Sequence, residues 1–270
     1  KKTKRLWISG SKMTQPILKL LLLASILVSV PALSESINVA VAANFKVTLQ
    51  ALKPVFEKQS GHHLNIISSG TGHLSNQIFN GAPFDIFLAA NKKHPRAVFA
   101  KLKDKRQLTR PALQPYALGR LALFSAKPMP HRQLAQLLSG PTFSKLALAN
   151  AKLAPYGLAA QQTLQHLNLK TKWQGKLIRG QNVAQVYQFV HTKNVDAGFV
   201  AYSMIKQLPG VQFIEVPQGY YDPIEQVALR LNNKKISVDF MTFLFSEHAQ
   251  NIILKQGYQL PKPRSNKATH

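Results

Sequence analysis

Cysteine is absent from the 270 residues. Disulfides, thiolate metal sites and cysteine nucleophiles are excluded together. Acidic residues are scarce: 10 Asp and Glu stand against 35 Lys and Arg, a formal net charge of +25. No nucleotide-type phosphate loop, nucleophile elbow or Ser-x-x-Lys pattern occurs. No acid/base pair can be placed, so neither an enzyme nor a resident cofactor is expected. Gly61-His62-His63 ends a helical stretch with no third ligand at a metal-binding spacing. Asp85 and Asp196 read as turn or cap residues. No stripe of basic residues interleaved with aromatics is present, which counts against a nucleic-acid binder. The charge leaves small anions, an anionic surface or nucleic acid as conceivable partners. Its basic residues are scattered without a dense block, as on a solvated face.

Hydrophobic residues make up 45% and charged residues 17%, a globular balance. The stretch 13–34 has Lys19, an apolar run from Leu20 to Val30, then Pro31 and the small-x-small end Ala32-Leu33-Ser34. This is the pattern of a secretory signal, and the run is shorter than a membrane span of about 20 residues. Export to the periplasm is expected, with 1–34 as leader. Those positions hold six Lys or Arg and no acid, so cleavage after Ser34 leaves +19.

Strand-like and helix-like segments then alternate. INVAVAA (37–43) is followed by a helical stretch that Pro54 should kink or break and that stops at Gly61. HLNII (63–67) and FDIFLA (84–89) each lead into a further helix. Residues 111–126 contain two prolines and then RLALFS, a crossing to a second set of units. KLALAN (145–150), KLIRGQ (176–181) and DAGFVAY (196–202) are its strands, each followed by a helix. FIEVP and QGYYDP suggest the return, IEQVALRL (224–231) a strand, and 236–258 one last long helix. The pattern implies an α/β fold of two lobes, with mainly parallel sheets flanked by helices and a cleft between. Lobe 1 is 35–116 with 222–262, lobe 2 is 117–221, and 263–270 is a polar, basic tail expected to be disordered.

Small or polar residues stand where four helices should start: Asn44, Ser68 to Gly72, Pro155-Tyr156-Gly157 and Gln181-Asn182-Val183. Helix starts expose unpaired N–H groups and a partial positive charge, and in open α/β sheets they gather where ligands bind. Each alone is an ordinary N-cap. Two per lobe, face to face and without a carboxylate, would suit an anion. A shell of donors only prefers a fully ionised oxyanion, since no acceptor awaits a ligand proton.

VAVAANF (39–45), ISSGTGHLSNQIFNGAPFDIFLAA (67–90), LAPYGLAAQQTLQHLNL (153–169), NVAQVYQ (182–188) and DAGFVAYS (196–203) resemble periplasmic molybdate- and tungstate-binding proteins of ABC importers, of the type II solute-binding fold. The similarity runs over roughly residues 37–262. It implies a monomer that clamps molybdate or tungstate and delivers it to a membrane ABC permease. The metal would be bound only as its oxyanion. Carried over, the donors are Ala43, Asn44, Thr71, Tyr156 and Val183. Ala43, Tyr156 and Val183 would act through backbone N–H groups, and Asn44 and Thr71 through side chains as well. Ser69 is the alternative to Thr71, because this loop is about one residue shorter than in some relatives. Tyr202 is the candidate for a tyrosine donor found in some of them. Another tetrahedral oxyanion such as sulfate is the alternative ligand, and a basic nucleic-acid or anionic-surface binder the alternative class.

Overall fold

The computed structural model describes residues 34–108, 112–130 and 133–261. The leader and the tail after Pro261 lie outside them. The chain from Glu35 forms two five-stranded sheets. Strand β1 (Ser36–Ala42) is followed by a single turn of 3-10 helix (Ala43–Phe45) and α1 (Lys46–Ser60). Then come β2 (His63–Ser69), α2 (Thr71–Phe79), β3 (Ile86–Ala89) and α3 (Lys93–Leu102). The chain crosses through β4 (Leu113–Gly119) into β5 (Leu121–Ser125), with Arg120 alone between the two strands. The second set runs α4 (Leu134–Ser139), β6 (Leu146–Ala149), α5 (Pro155–His166), β7 (Leu177–Gly180) and α6 (Val183–His191). It ends with β8 (Ala197–Ala201), α7 (Tyr202–Ile205) and β9 (Gln212–Glu215). The return strand β10 (Ile224–Arg230) leads to α8 (Lys235–Leu244) and α9 (Glu247–Lys255).

The sheet orders are β2-β1-β3-β10-β4 and β7-β6-β8-β5-β9. Pairs joined through helices (β1 with β2 and β3, β6 with β7 and β8) are parallel. Pairs made by β10 and β5 are antiparallel. Each sheet is therefore mixed, because the two crossing segments add strands without a helical crossover. β4 lies at an edge, where Pro115 costs no ladder donor. Helices α1, α8 and α9 cover one face of the first sheet, and α2 and α3 the other. A separate core around Leu121–Phe124, Trp173 and Phe199 fills the second.

Two expectations on helix breaks are corrected. Helix α1 is not broken at Pro54 and continues through it as one element. Pro54 is exposed, so the carbonyl left unpaired one turn earlier faces water. The stretch 236–258 is two helices: Ser246 interrupts it, and its Oγ caps α9 by accepting from the Ala249 N–H.

Asp85 and Asp196 act as ties. Asp85 is buried, accepts from the Asn38 N–H (2.8 Å) and Asn232 Nδ2 (2.7 Å), and pairs with Lys234. Asp196 Oδ2 accepts from the N–H and Oγ of Ser144 (both 2.7 Å) and from the Lys145 N–H, while Oδ1 pairs with Lys127 at 2.7 Å. Burial pushes its carboxyl up, but these donors outweigh burial and hold it well below the usual carboxylate range. A depressed native value stabilises the fold above the unfolded value of about 3.9 and loses that contribution as the pH falls below it. Asp196→Asn should cost about 2 kcal/mol in urea unfolding at neutral pH. The gap between wild type and variant should narrow steadily from pH 5 to pH 3; a constant gap would remove the ionised carboxylate from the explanation.

Candidate functional site

Between the sheets, one cleft collects the carboxyl ends of β1 and β3 and the starts of three helices. Ala42, Ala43, Asn44, Gly70, Thr71 and Ala90 line it from the first sheet's side. Ala154, Pro155, Tyr156, Asn182 and Val183 line it from the second's. All five primary candidates therefore meet in one place. Ser69 and Tyr202 do not line the cleft. Ser69 ends β2 opposite Ala42, and Gly70 takes the lining position beside Thr71. The Tyr202 ring packs under the Arg120 guanidinium, 4.3 Å from its centroid, and against Phe213.

Each donor is left over by local chemistry. Thr71, Tyr156 and Val183 lie in the first turns of α2, α5 and α6, where no helical carbonyl is available to their N–H groups. Pro155 has no N–H, so Tyr156 supplies the first free one of α5. Asn182 caps α6: its Oδ1 accepts from the N–H groups of Ala184 and Gln185 and passes over Val183. Thr71 Oγ1 accepts from the Ala90 N–H at 3.1 Å, so its own proton remains available to a guest. Gly70, Ala90 and Asn182 thus shape the site without having been singled out as ligands. Gly70 and Asn182 fall in the helix starts visible in the sequence, whereas Ala90 carried no such signal.

Asn44 behaves otherwise than expected. Its Nδ2 donates to Gln226 Oε1 (2.9 Å) and Tyr258 Oη (3.0 Å), which uses both side-chain protons inside the protein. The carry-over of a side-chain donor is corrected on this point: Asn44 has only its backbone N–H to offer the cleft.

Among the described residues, no carboxylate, lysine, arginine or histidine lines the cleft, and Tyr156 is the one titratable group there. Burial pushes the Tyr156 phenol well above its ordinary value, so it stays neutral. Ala43, Asn44, Thr71, Tyr156 and Val183 are each at most 8% exposed. The centre of a water-sized guest has about 10 Å³ in which to move. That is room for about one water-sized guest and leaves none for a sugar, peptide or nucleotide. The positive field comes from three helix starts, each worth roughly half a charge, inside a medium that screens little.

The two sides touch across the cleft. The Gly72 N–H donates to the Leu153 carbonyl at 3.0 Å. A methyl group on Gly72 would sit 3.1 Å from the Leu153 Cα, so the approach depends on glycine.

A model of bacterial extracellular solute-binding proteins matches residues 37–259. The chain belongs to this family. It is 36% identical to the molybdate-binding protein ModA of Azotobacter vinelandii over 240 residues, 87% of this chain and 94% of that protein. It is 32% identical to ModA of Rhodobacter capsulatus, covering 85% of this chain and 90% of that one. The solved Azotobacter vinelandii periplasmic molybdate-binding protein superposes with a TM-score of 0.77 at 34% identity, over 84% of this chain and all of that chain. The two mixed sheets flanked by helices are the fold of these binding proteins.

Gly72→Val separates closure from folding. The larger side chain should leave the urea midpoint of the ligand-free protein within about 0.5 kcal/mol of wild type, since it faces Leu153 across the cleft. Anion affinity should fall at least tenfold. Unchanged affinity would mean that the Gly72–Leu153 contact is not part of the liganded state.

Proposed function

We propose that this solute-binding protein captures molybdate or tungstate in the cleft and delivers it to a membrane ABC permease from the periplasm. The observation that carries the reading is the convergence of uncharged donors from both sheets on one small buried cleft. Ala43 and Asn44 would donate through the backbone of the turn after β1. Thr71 would donate through its N–H and hydroxyl, and Tyr156 and Val183 through backbone N–H groups. Every oxygen of a tetrahedral dianion would then meet a donor, and among the described residues no carboxylate lines the cleft to take up a ligand proton. Hydrogen phosphate would bury its proton unpaired and is disfavoured by the same rule. The similarity to molybdate-binding proteins supports molybdenum and tungsten oxyanions over sulfate, which presents the same charge on a smaller ion. The metal stays inside its oxygen shell and takes no ligand from the protein.

Lobe boundaries at 116/117 and 221/222 fit the role, since the chain passes between the two sheets at both and could hinge there. Gly119 at the first is closely approached by Tyr156 Oη and could not carry a side chain. The formal charge of +19 that remains after cleavage of the leader draws anions toward the surface and raises the association rate without entering the site.

Calorimetric titration tests the reading. Molybdate and tungstate should bind one per chain, sulfate more weakly and phosphate least. Sulfate binding tighter than molybdate would transfer the assignment to sulfate, and silence toward all four would end it. Thr71→Val keeps the shape and removes the hydroxyl. It should weaken molybdate by about 1–3 kcal/mol, whereas Thr71→Ser should stay within about 0.5 kcal/mol of wild type.

A further inference from the structure

Beneath the cleft, the Tyr258 hydroxyl is bonded to its full capacity. It donates to the Asn44 carbonyl at 2.8 Å and accepts from Asn44 Nδ2 at 3.0 Å. It also accepts from Ser203 Oγ at 3.0 Å. One proton and two lone pairs are all that a phenol has. Asn44 is held at both its main chain and its side chain by this single atom, with Gln226 Oε1 taking the second amide proton. Tyr258 follows α9 on the first sheet, where Leu118 and Gln259 exchange backbone hydrogen bonds of 2.7 and 3.0 Å. Ser203 belongs to α7, which follows β8 of the second sheet. The contact therefore joins the two sheets at the turn that lines the cleft. Asn44, Ser203, Gln226 and Tyr258 are all buried, which makes an unfilled bond here costly.

We propose that Tyr258 is a positioning residue for the anion cleft, fixing the Ala43–Asn44 turn so that its N–H groups face the guest. The proposal deepens the reading above and rests on it for the identity of the guest. The physical case is one of stiffness. The turn is a single 3-10 turn with no side-chain cap of its own. Its aim must come from elsewhere, and the hydroxyl supplies two restraints on Asn44 and a third tie to Ser203, from a ring packed edge-on against Phe45, 5.3 Å between centroids. Burial pushes this hydroxyl up to about 12, so it keeps its proton and continues to donate to Asn44 throughout the neutral range. Tyr116 provides an internal control. It touches the same Phe45 ring at 4.9 Å, is equally buried, and its hydroxyl makes no hydrogen bond.

The test compares Tyr258→Phe and Tyr116→Phe in the full chain, with two readouts. Hydrogen exchange of the ligand-free protein should show the amides of 43–45 exchanging at least tenfold faster in Tyr258→Phe, while Tyr116→Phe matches wild type. Molybdate titration should show Tyr258→Phe binding one ion per chain with at least tenfold weaker affinity, the loss lying in faster release. Ser203→Ala should move both readouts in the same direction by less. Unchanged exchange at 43–45 in Tyr258→Phe overturns the proposal. So does a reduced number of sites at unchanged affinity, because that is the signature of a partly unfolded population and not of a misaimed turn. Should wild type ignore molybdate while exchange still rises only in Tyr258→Phe, the molybdate reading fails and the positioning role stands.

Discussion

A dianion taken out of water must be met by donors on all sides, and a protein that uses no cation for this must collect backbone N–H groups from several directions. One helix start cannot surround an ion. Three starts and a tight turn can, provided that two sheets present their carboxyl edges to a common point. That requirement explains why the chain crosses between sheets twice: β4 and β5 carry it out, and the segment before β10 carries it back. The antiparallel strands are the consequence of the crossings, and the parallel strands of the need for helices that start at the cleft.

The same constraint explains the small residues around it. Gly72 admits the Leu153 backbone. Gly157, one residue past the Tyr156 donor, leaves no room for a Cβ against the Ala149 carbonyl, so α5 starts hard against the end of β6. Pro155 sets the first turn of that helix and removes a competing donor. Precise aim costs side-chain freedom, and alanine, glycine and proline have the least to lose.

Much of this was legible in the chain because it is local. Strand-to-helix junctions at Asn44, Gly70-Thr71, Pro155-Tyr156 and Asn182-Val183 are written in consecutive residues, and the alternation of periods places them at one sheet edge. The break at Ser246 was less legible, because Ile236–Tyr258 keeps its apolar spacing across it and the only mark is a capping serine. The role of the Asn44 side chain could not be read. The resemblance implied that it faces the anion. Its partners Gln226 and Tyr258 lie 182 and 214 residues away, and no local pattern ties them to it. Ser69 and Tyr202 were misplaced for the complementary reason: a shift of one residue along a strand end turns a side chain from the cleft to the opposite face.

What that network adds is a division of labour between charge and geometry. The basic surface acts at long range and is screened within about 10 Å at ordinary salt, so it can set how often an anion arrives but not which anion stays. Selection falls to neutral groups a few ångströms from the guest, and those discriminate only as sharply as they are held. A backbone N–H in a free turn follows whatever ion enters. One anchored through its own carbonyl and side chain does not, and an ion of the wrong size or with an extra proton then leaves a donor or an acceptor unpaired. On the proposed reading, selectivity in this cleft depends on buried residues that never touch the ion as much as on those that do.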